Sequence, residues 1–309
     1  MRISWRRFFG EARRGGAAAV ATSESAATPA KLLDSPHSDR LRRDLPDAIA
    51  SQELQIVYQP KLRLRTGAID GVEALARWNH RALGPVSPGV FIPLAEQDGH
   101  IRAVTRYVLE RAVADQRTLA RTGNLMPFSV NLSGLVLTDD AFTKEVCAIV
   151  AQADGAIGLE ITETALISDP QAAIRNMLRY AEADVSVSID DYGSGLSSLA
   201  YLKQLPAREL KIDKLFISNL TTSHRDPLIV RSTIDLAHAL EMEVVAEGVE
   251  SPACLALLRV MGCDVAQGFL ISAGLPVEEL QQFLATYNAG ALGDIRTTMS
   301  PPASFWSRS

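Results

Sequence analysis

Apolar and polar positions follow two regular patterns that take turns along the chain. Short runs rich in β-branched and aliphatic residues predict strands, and longer runs with an apolar residue every three to four positions predict amphipathic helices. The strand-like runs are 55–59, 69–76, 128–131, 158–162, 185–190, 209–212, 244–246 and 265–266. The helical runs are 101–121, 138–153, 171–183, 226–240, 252–261 and 276–287.

This alternation of strands and helices predicts the fold class. Strands that alternate with helices form βα units, whose strands run parallel to one another. About eight such units favour a closed α/β barrel, a TIM-like (β/α)8 barrel, over an open sheet. Thr66 and Gly67 lie between the first two strand-like runs and are typical of a hairpin turn. We therefore expect the first strand to run antiparallel to its neighbour.

The two ends of the chain differ in composition from its middle. Residues 1–36 include a stretch of Gly, Ala, Ser and Thr that cannot bury enough apolar surface to offset its ordering entropy. Residues 289–309 resemble it. We expect a disordered basic and Ala/Ser-rich leader over 1–36, one barrel domain over 37–288, and a disordered tail over 289–309.

The first 14 residues form a basic segment with three aromatic side chains. Trp5, Phe8 and Phe9 are spaced so that a helix would carry them on one face. One interpretation is a short amphipathic helix in weak contact with an anionic membrane surface. The other is a solvated leader or a mis-assigned start codon, and the sequence favours this second interpretation.

Charge and cysteine content narrow the classes of function. The formal net charge of −5 gives no electrostatic reason to expect binding to duplex nucleic acid. Cys147, Cys254 and Cys263 are odd in number and lack metal-site spacing, so we interpret them as buried thiols in a reducing compartment. No apolar run approaches the ~18 residues of a membrane helix, and no secretory signal is predicted. A cytoplasmic location is expected.

Acidic and amide side chains recur within or at the carboxyl ends of the strand-like runs. They are Glu73, Asn131, Glu160, Asp190, Asp191 and Glu247. In a βα barrel these ends meet at one face, where active sites are built. Any single one of them could be a helix cap or half of an ion pair. Several carboxylates around one rim repel each other, however, and need a counter-charge.

The chemistry of this set predicts a metal site. Oxygen ligands suit Mg²⁺ or Mn²⁺ rather than zinc, and the adjacent Asp190 and Asp191 suggest two ions. Two metals about 3.5–4 Å apart are the usual apparatus for hydrolysis of a phosphodiester. Lys211 lies in the strand-like run 209–212 and belongs to the same ring. It would either orient or deprotonate a water or neutralise its acidic neighbours, and the sequence leaves both roles open.

A set of short motifs, in order along the chain, resembles a known family. The motifs lie at 58–60, 71–78 (with Glu73-Ala74-Leu75 at its centre), 131–133, 160–163, 190–195, 211–213, 247–250 and 267–268. Together they span residues from about 40 to 288 and are similar to the EAL domain, the phosphodiesterase family specific for cyclic di-GMP. No departure from the family pattern removes a ligand.

The resemblance implies a TIM-like barrel with one antiparallel strand that hydrolyses cyclic di-GMP to linear pGpG and so lowers cyclic di-GMP signalling. It implies two ions, Mg²⁺ or Mn²⁺. The first would be held by Glu73, Asn131, Glu160 and Asp190. The second, or its water shell, would be served by Asp191, Asp213 and Glu247. The catalytic residues would be Glu73, Lys211 and Glu247, the last two through activation of the attacking water.

The resemblance also implies substrate contacts. Gln59 and Arg77 match substrate-contacting positions, with Arg77 as a bidentate partner of phosphate. An ion pair of Arg77 with a nearby acid is the alternative. Gln267 belongs with this group, where it would order the waters around the substrate.

The Gly- and Ser-rich loop at 190–198 is the last feature that the resemblance addresses. Glu163, with Glu250, resembles an anchor of this loop, and a helix cap by Glu163 is the alternative. In the family the loop links dimerisation to metal binding, which implies a homodimer. Two rival functions stay open: a non-catalytic cyclic di-GMP receptor or scaffold on the same fold, and another metal-dependent barrel enzyme, such as one that stabilises an enolate.

Overall fold

The computed structural model describes residues 36–51, 53–166, 169–193 and 202–287. The expected tail and all but the last residue of the expected leader lie outside these ranges, so the predicted division of the chain stays a prediction. Residue 36 itself begins a helix.

The described residues contain nine strands in one sheet. They are β1 (Leu54–Arg63), β2 (Ala68–His80), β3 (Gly84–Val86), β4 (Phe128–Asn131), β5 (Ile157–Thr162), β6 (Ser186–Tyr192), β7 (Glu209–Ile212), β8 (Glu243–Ala246) and β9 (Val265–Gln267). Their order is β1-β9-β8-β7-β6-β5-β4-β2-β3, and a further β1–β2 pairing closes the sheet. Eight strands thus form a barrel, while β3 extends β2 on the outside.

Helices follow most of the strands. They are α1 (Pro36–Ala50), α2 (Pro88–Gln97), α3 (Ile101–Ala120), α4 (Gly134–Leu137), α5 (Asp140–Val150), α6 (Pro170–Glu182), α7 (Lys214–Ser218), α8 (Asp226–Ala239), α9 (Pro252–Val260) and α10 (Val277–Thr286). The six helical runs and eight strand-like runs read from the sequence are all present. Within the described ranges no helix combines the length and the apolar character that crossing a bilayer requires.

The barrel has one antiparallel strand, as predicted. The turn between β1 and β2 includes Gly67, whose φ of 71° suits glycine and few other residues. So short a turn places consecutive strands side by side in opposite directions. Strand β1 is antiparallel to both β2 and β9, whereas β2 and β4 to β9 run parallel to one another. The carboxyl ends of the parallel strands therefore meet at one mouth of the barrel.

Alternation along the strands separates an apolar layer from a polar interior. In β7, for example, Leu210 and Ile212 are buried in the apolar core, while Lys211 between them contacts carboxylates of other strands. Because successive side chains of a strand point to opposite faces, the apolar set packs under the helices and the polar set fills the barrel. The free thiols of Cys254 and Cys263 are buried as expected, whereas Cys147 is only half-buried. It lies on the short helix α5, on the edge of the core.

Helix α1 packs against helices α2 and α3, which cover the barrel. Leu41, Leu45 and Ala48 are buried at helical spacing. A polar contact fixes the same helix, since Asp44 Oδ2 lies 3.0 Å from Nε2 of His80 at the end of β2. The His80 Nδ1 accepts two backbone amides, which assigns the proton to Nε2 and makes His80 the donor to Asp44.

Candidate active site

Lys211 lies at the centre of the predicted ring of acids. Its ammonium group is fully buried and contacts carboxylates from four other strands or strand ends. The distances from Nζ are 3.6 Å to Glu73, 3.2 Å to Asp190 and 2.6 Å to Glu247, and Glu160 is in direct hydrogen-bond contact. Burial alone would lower the pKa of Lys211, but these carboxylates raise it well above its ordinary value. Lys211 is therefore protonated.

Glu73 is held on both of its oxygens by amide groups. Asn131 Nδ2 donates to Oε1 at 2.7 Å, and Gln267 Nε2 donates to Oε2 at 2.6 Å. The same Gln267 nitrogen lies 2.9 Å from Gln59 Oε1, while Gln59 donates to the backbone oxygen of Ser272 at 3.1 Å. Strands β1, β2, β4 and β9 thus meet through one hydrogen-bond network that includes both predicted substrate-binding glutamines.

The adjacent Asp190 and Asp191 both reach the site because β6 is irregular. In a regular strand two successive side chains would point to opposite faces. The pairing of β6 with β7 shifts between Ile189 and Tyr192, and Asp191 has a positive φ of 54°. Such a bulge turns an extra side chain toward the site. Carboxylate oxygens of Asp190, Asp191 and Glu247 lie within 4.8 Å of one another.

Asp213 lies beside this group, just after β7. Its Oδ1 accepts the backbone amide of Leu215 at 2.6 Å and so caps the short helix α7. The Asp213 carboxylate also hydrogen-bonds with Asp191. Burial, with the charges of Asp190 and Asp213, raises the pKa of Asp191 to about 6. Asp191 therefore carries a proton at mildly acidic pH.

Two further acids at this mouth, Glu247 and Glu73, also hold protons more strongly than usual. Burial, opposed by Lys211 and reinforced by Asp190, raises the pKa of Glu247 to about 8. Burial, with the charge of Glu160, raises the pKa of Glu73 as well. The ammonium group of Lys211 alone does not balance this many carboxylates.

A second lysine, Lys61 on β1, belongs to the same network and was not predicted. Its side chain is buried, and Nζ lies 2.7 Å from Glu160 Oε1 and 3.5 Å from Glu209 Oε1. Burial alone would raise the pKa of Glu160, but Lys211 and Lys61 together lower it. The signal in the sequence was the alternation itself, because Lys61 comes two positions after Gln59 on a strand whose other members are largely apolar.

Arg77 lines a cavity beside the ring of acids. The cavity has a volume of about 450 Å³ and is bounded on its polar side by Arg77, Asn131 and Glu160, with apolar walls from α2 and α3. The half-buried Arg77 donates from Nη1 to its neighbour's backbone oxygen at 2.9 Å. Within the described residues its guanidinium forms no ion pair within 4 Å, unlike the alternative expected from the sequence. Its charge is available to a ligand in the cavity.

The loop after β6 contacts one of its two predicted anchors. Gly193 N donates to Glu163 Oε2 at 3.2 Å, and Glu163 is buried. Gly193 has a φ of 99°, and a Cβ there would lie 2.8 Å from the ring of Phe216, so glycine is required. Glu250 is exposed, and its role as an anchor stays a prediction. Residues 194–198 of the loop lie outside the described ranges.

The donor set fits a divalent metal. It supplies clustered carboxylate oxygens, the hard ligands that Mg²⁺ and Mn²⁺ prefer. The excess negative charge around Lys211 and the raised pKa values of Glu247 and Asp191 indicate that these acids lack a further cation. The buried Gln267 Oε1 has no hydrogen-bond partner among the described residues and leaves one more oxygen beside Glu73.

Comparison with known proteins places this arrangement in a family. Residues 42–273 match the EAL domain. The chain belongs to the EAL domain family. This confirms the resemblance carried by the motifs, and the eight-stranded barrel with one antiparallel strand agrees with it.

Relatives of this EAL domain include named enzymes. The chain is 39% identical over 262 residues to the cyclic di-GMP phosphodiesterase NbdA of Pseudomonas aeruginosa, a match that covers 84% of this chain and 34% of NbdA. It is 36% identical over 248 residues to the cyclic di-GMP phosphodiesterase PA2567 of the same organism, covering 79% of this chain and 42% of PA2567. The chain spans between about a third and about half of the length of the first relatives it matches.

Solved EAL structures share the barrel. The PaMucR phosphodiesterase in complex with cyclic di-GMP superposes with a TM-score of 0.73 and 37% identity, over 78% of this chain and 99% of that one. The EAL enzyme Bd1971, with cAMP and cyclic di-GMP bound, gives a TM-score of 0.75 and 30% identity, over 80% of this chain and 69% of that one.

Proposed function

We propose that this EAL domain hydrolyses cyclic di-GMP to linear pGpG and thereby lowers cyclic di-GMP signalling. The observation that carries the proposal is the complete ring of oxygen ligands around Lys211, formed by Glu73, Glu160, Asp190 and Glu247 with Asn131 beside them. Named cyclic di-GMP phosphodiesterases among the relatives support the choice of substrate.

Two metals, Mg²⁺ or Mn²⁺, are assigned to the ring. Glu73, Asn131, Glu160 and Asp190 would hold the first, and Asp191, Asp213 and Glu247 would hold the second or its waters. Carboxylate oxygens of Asp190, Asp191 and Glu247 lie close together and support a metal position to which both groups of ligands contribute. When bound, the ions supply a lowered pKa for water and positive charge opposite the phosphate.

The chain's own residues would orient the attacking water, accept its proton and stabilise the charge that develops. A protonated Lys211 cannot accept a proton, so it is suited to orient the attacking water and to stabilise negative charge on the phosphate. Glu247, 2.6 Å from Lys211 Nζ, is the carboxylate placed to take the proton of that water. Glu73 is the ligand that the amides of Asn131 and Gln267 hold in place.

Substrate recognition is assigned to Gln59, Arg77 and Gln267. The unpaired guanidinium of Arg77 would bind a phosphate, and the apolar walls of the adjoining cavity would accommodate a flat base. Gln59 and Gln267 lie next to each other above Glu73, where they would order water around the scissile phosphate. Glu163 would hold the loop after β6 through Gly193.

Turnover by the purified protein tests this function. We expect cyclic di-GMP to be converted to pGpG with Mg²⁺ or Mn²⁺, and conversion to stop in excess chelator. Ca²⁺ should inhibit, because its bonds of about 2.3–2.6 Å suit a wider site. Full turnover in chelator would contradict the metal mechanism. Tight binding of cyclic di-GMP without product would instead identify a receptor.

We further propose that the protein acts as a homodimer in the cytoplasm. Its free thiols support a reducing compartment, and an exposed apolar face on α8 supports self-association. The weak membrane contact predicted for residues 1–14 lies outside the described residues. Co-sedimentation with anionic liposomes tests it, since full-length protein and a variant lacking residues 1–35 should then differ.

A further inference from the structure

Lys61 is a buried charge that the catalytic roles above leave without a function. It lies on the antiparallel strand β1, is 7% exposed, and reaches across the barrel interior to Glu160 on β5. A lysine is rarely buried unless it is paired, because desolvating an unpaired ammonium group is costly. The chain therefore has a paired lysine at a position where an apolar side chain would be easier to bury.

The contact fixes the direction in which Glu160 presents its oxygens. Lys61 holds Oε1 at 2.7 Å, and Lys211 holds Oε2 from the other side. Glu160 is 1% exposed, so water does not compete for either oxygen. With Oε1 committed to Lys61, Oε2 is the oxygen on the side of Lys211, whose ammonium group also contacts the other acids of the ring.

Lys61 also affects where Lys211 lies. Lys211 is shared among Glu160, Glu247 and two further carboxylates. Without Lys61, Glu160 would be a fully buried carboxylate with Lys211 as the one cation left to it among the described residues, and attraction would draw Lys211 toward it. The ammonium group would then move away from Glu247, which lies 2.6 Å from it.

Lys61 has a second partner, Glu209, toward the opposite mouth of the barrel. Glu209 Oε1 lies 3.5 Å from Lys61 Nζ and accepts a hydrogen bond from Ser188 Oγ at 3.0 Å. Both residues line a cavity of about 240 Å³ at the amino ends of the parallel strands. A row of alternating charges, from Glu209 through Lys61, Glu160 and Lys211 to Glu247, thus crosses the barrel.

We propose that Lys61 is a positioning residue of the active site, which holds Glu160 from below so that Oε2 faces the metal and Lys211 is free to serve Glu247. This inference rests on the proposed function for its metal site. If Glu160 binds a metal through Oε2, Lys211 has to release that oxygen, while Lys61 keeps its partner throughout. Residues that orient a metal ligand in this way change metal affinity or activity by about 10- to 100-fold when they are lost.

The test is Mn²⁺ binding to metal-free protein, measured from the electron paramagnetic resonance of free Mn²⁺. Lys61→Met keeps the length of the side chain and removes its charge. We expect this variant to bind Mn²⁺ about 10- to 100-fold more weakly, with kcat reduced and KM for cyclic di-GMP little changed. Leu62→Met alters a fully buried neighbour that faces the helices, and should leave Mn²⁺ binding unchanged. Where Lys61→Met does not fold, Lys61→Gln carries the same expectation.

The possible results separate this inference from the proposed function. A folded Lys61→Met or Lys61→Gln variant with normal Mn²⁺ affinity would overturn the role of Lys61 and leave hydrolysis of cyclic di-GMP standing. Mn²⁺ binding by the unaltered protein without hydrolysis would remove the proposed function. Weaker Mn²⁺ binding by the Lys61 variants would then still support the positioning role.

Discussion

Glu73 is the residue whose loss should separate catalysis from folding most cleanly. It contributes charge and ligand oxygens rather than core volume, and Glu73→Gln keeps its shape while removing its charge. We expect turnover of cyclic di-GMP to fall by about 10²-fold or more, since even residues that only orient a ligand cost 10- to 100-fold. The measurement is kcat/KM at saturating Mg²⁺, with thermal melting as the check on folding.

The exposed acid Glu278 on α10 provides the matched control. Glu278→Gln changes the net charge by the same amount at an exposed position outside the ring of acids, and should leave kcat/KM unaltered. Near-normal turnover by Glu73→Gln would mean that the reaction takes place elsewhere.

Lys211 should affect the rate more than substrate affinity. Its ammonium group lies at the centre of the ring of acids and does not line the cavity beside Arg77. Lys211→Ala is therefore expected to lower kcat strongly with a small change in KM for cyclic di-GMP. A rise in KM with kcat preserved would assign Lys211 to substrate binding instead.

The raised pKa values of Glu247 and Asp191 predict how metal-free protein responds to pH. A carboxyl group whose folded pKa is raised stabilises the fold fully below its ordinary value, and that stabilisation is lost as pH rises through the folded pKa. For Glu247 the loss runs from 4.5 to about 8, and for Asp191 from 3.8 to about 6. In chelator, the Tm should therefore be lower at pH 9 than at pH 6.

Mg²⁺ should reverse this trend, because it binds the deprotonated ligands. We expect the increase in Tm on adding Mg²⁺ to be larger at pH 9 than at pH 6. In Glu247→Gln the pH 6 to pH 9 difference in chelator should shrink. An equal Mg²⁺ effect at both pH values would count against a metal site built on Glu247.

For individual residues, the sequence predicted which side chains meet at the site better than how they are arranged there. Strand ends and motifs located Glu73, Glu160 and Lys211, because the carboxyl ends of parallel strands must meet. The bulge that turns Asp191 inward depends on the pairing of β6 with β7, which is not a local property of either strand. The partnership of Lys61 with Glu160 joins strands 99 positions apart in the chain and could be seen only once the barrel was closed.

Among the elements, α1 was not predicted, because its composition obscures the helical spacing of its apolar residues. Its charged residues and internal Pro46 obscure Leu41, Leu45 and Ala48, whose spacing of four and three is helical. The short helices α2, α4 and α7 were missed for a different reason. Each begins after a side chain that accepts a nearby backbone amide, Ser87, Ser133 or Asp213. Helices α4 and α7 are too short to show a period, and α2 contains an internal proline, Pro93, that obscures its apolar spacing.

Helix α1 should therefore contribute to the stability of the barrel. Leu45 is fully buried, and Leu45→Ala should lower the free energy of unfolding by about 2–5 kcal/mol through lost burial and the cavity it leaves. Urea unfolding followed by circular dichroism measures the change. Asp47→Ala, on the exposed face of the same helix, should stay within about 0.5 kcal/mol. Equal stability of both variants would show that α1 does not pack as described.

At the scale of the whole molecule, the closed barrel leaves few apolar surfaces without a partner. Closure pairs β1 with β2, so that among the described strands only the three-residue β3 keeps a free edge through which sheets could associate. We therefore expect association through helix faces. On α8, Leu228 is 69% exposed and the adjacent Ile229 is 43% exposed. Contiguous exposed apolar side chains of this kind mark interaction surfaces on soluble proteins.

We expect this face of α8 to form the homodimer interface. Replacing both residues, Leu228→Glu with Ile229→Glu, places two negative charges on each copy at the contact, where like charges repel. Sedimentation velocity should show a dimer for the unaltered protein and a monomer for this variant. Val260→Glu is the matched control, because Val260 is 79% exposed on α9 and should leave the dimer intact. If the double variant still sediments as a dimer, the interface lies on another surface. If the unaltered protein sediments as a monomer, the homodimer is ruled out.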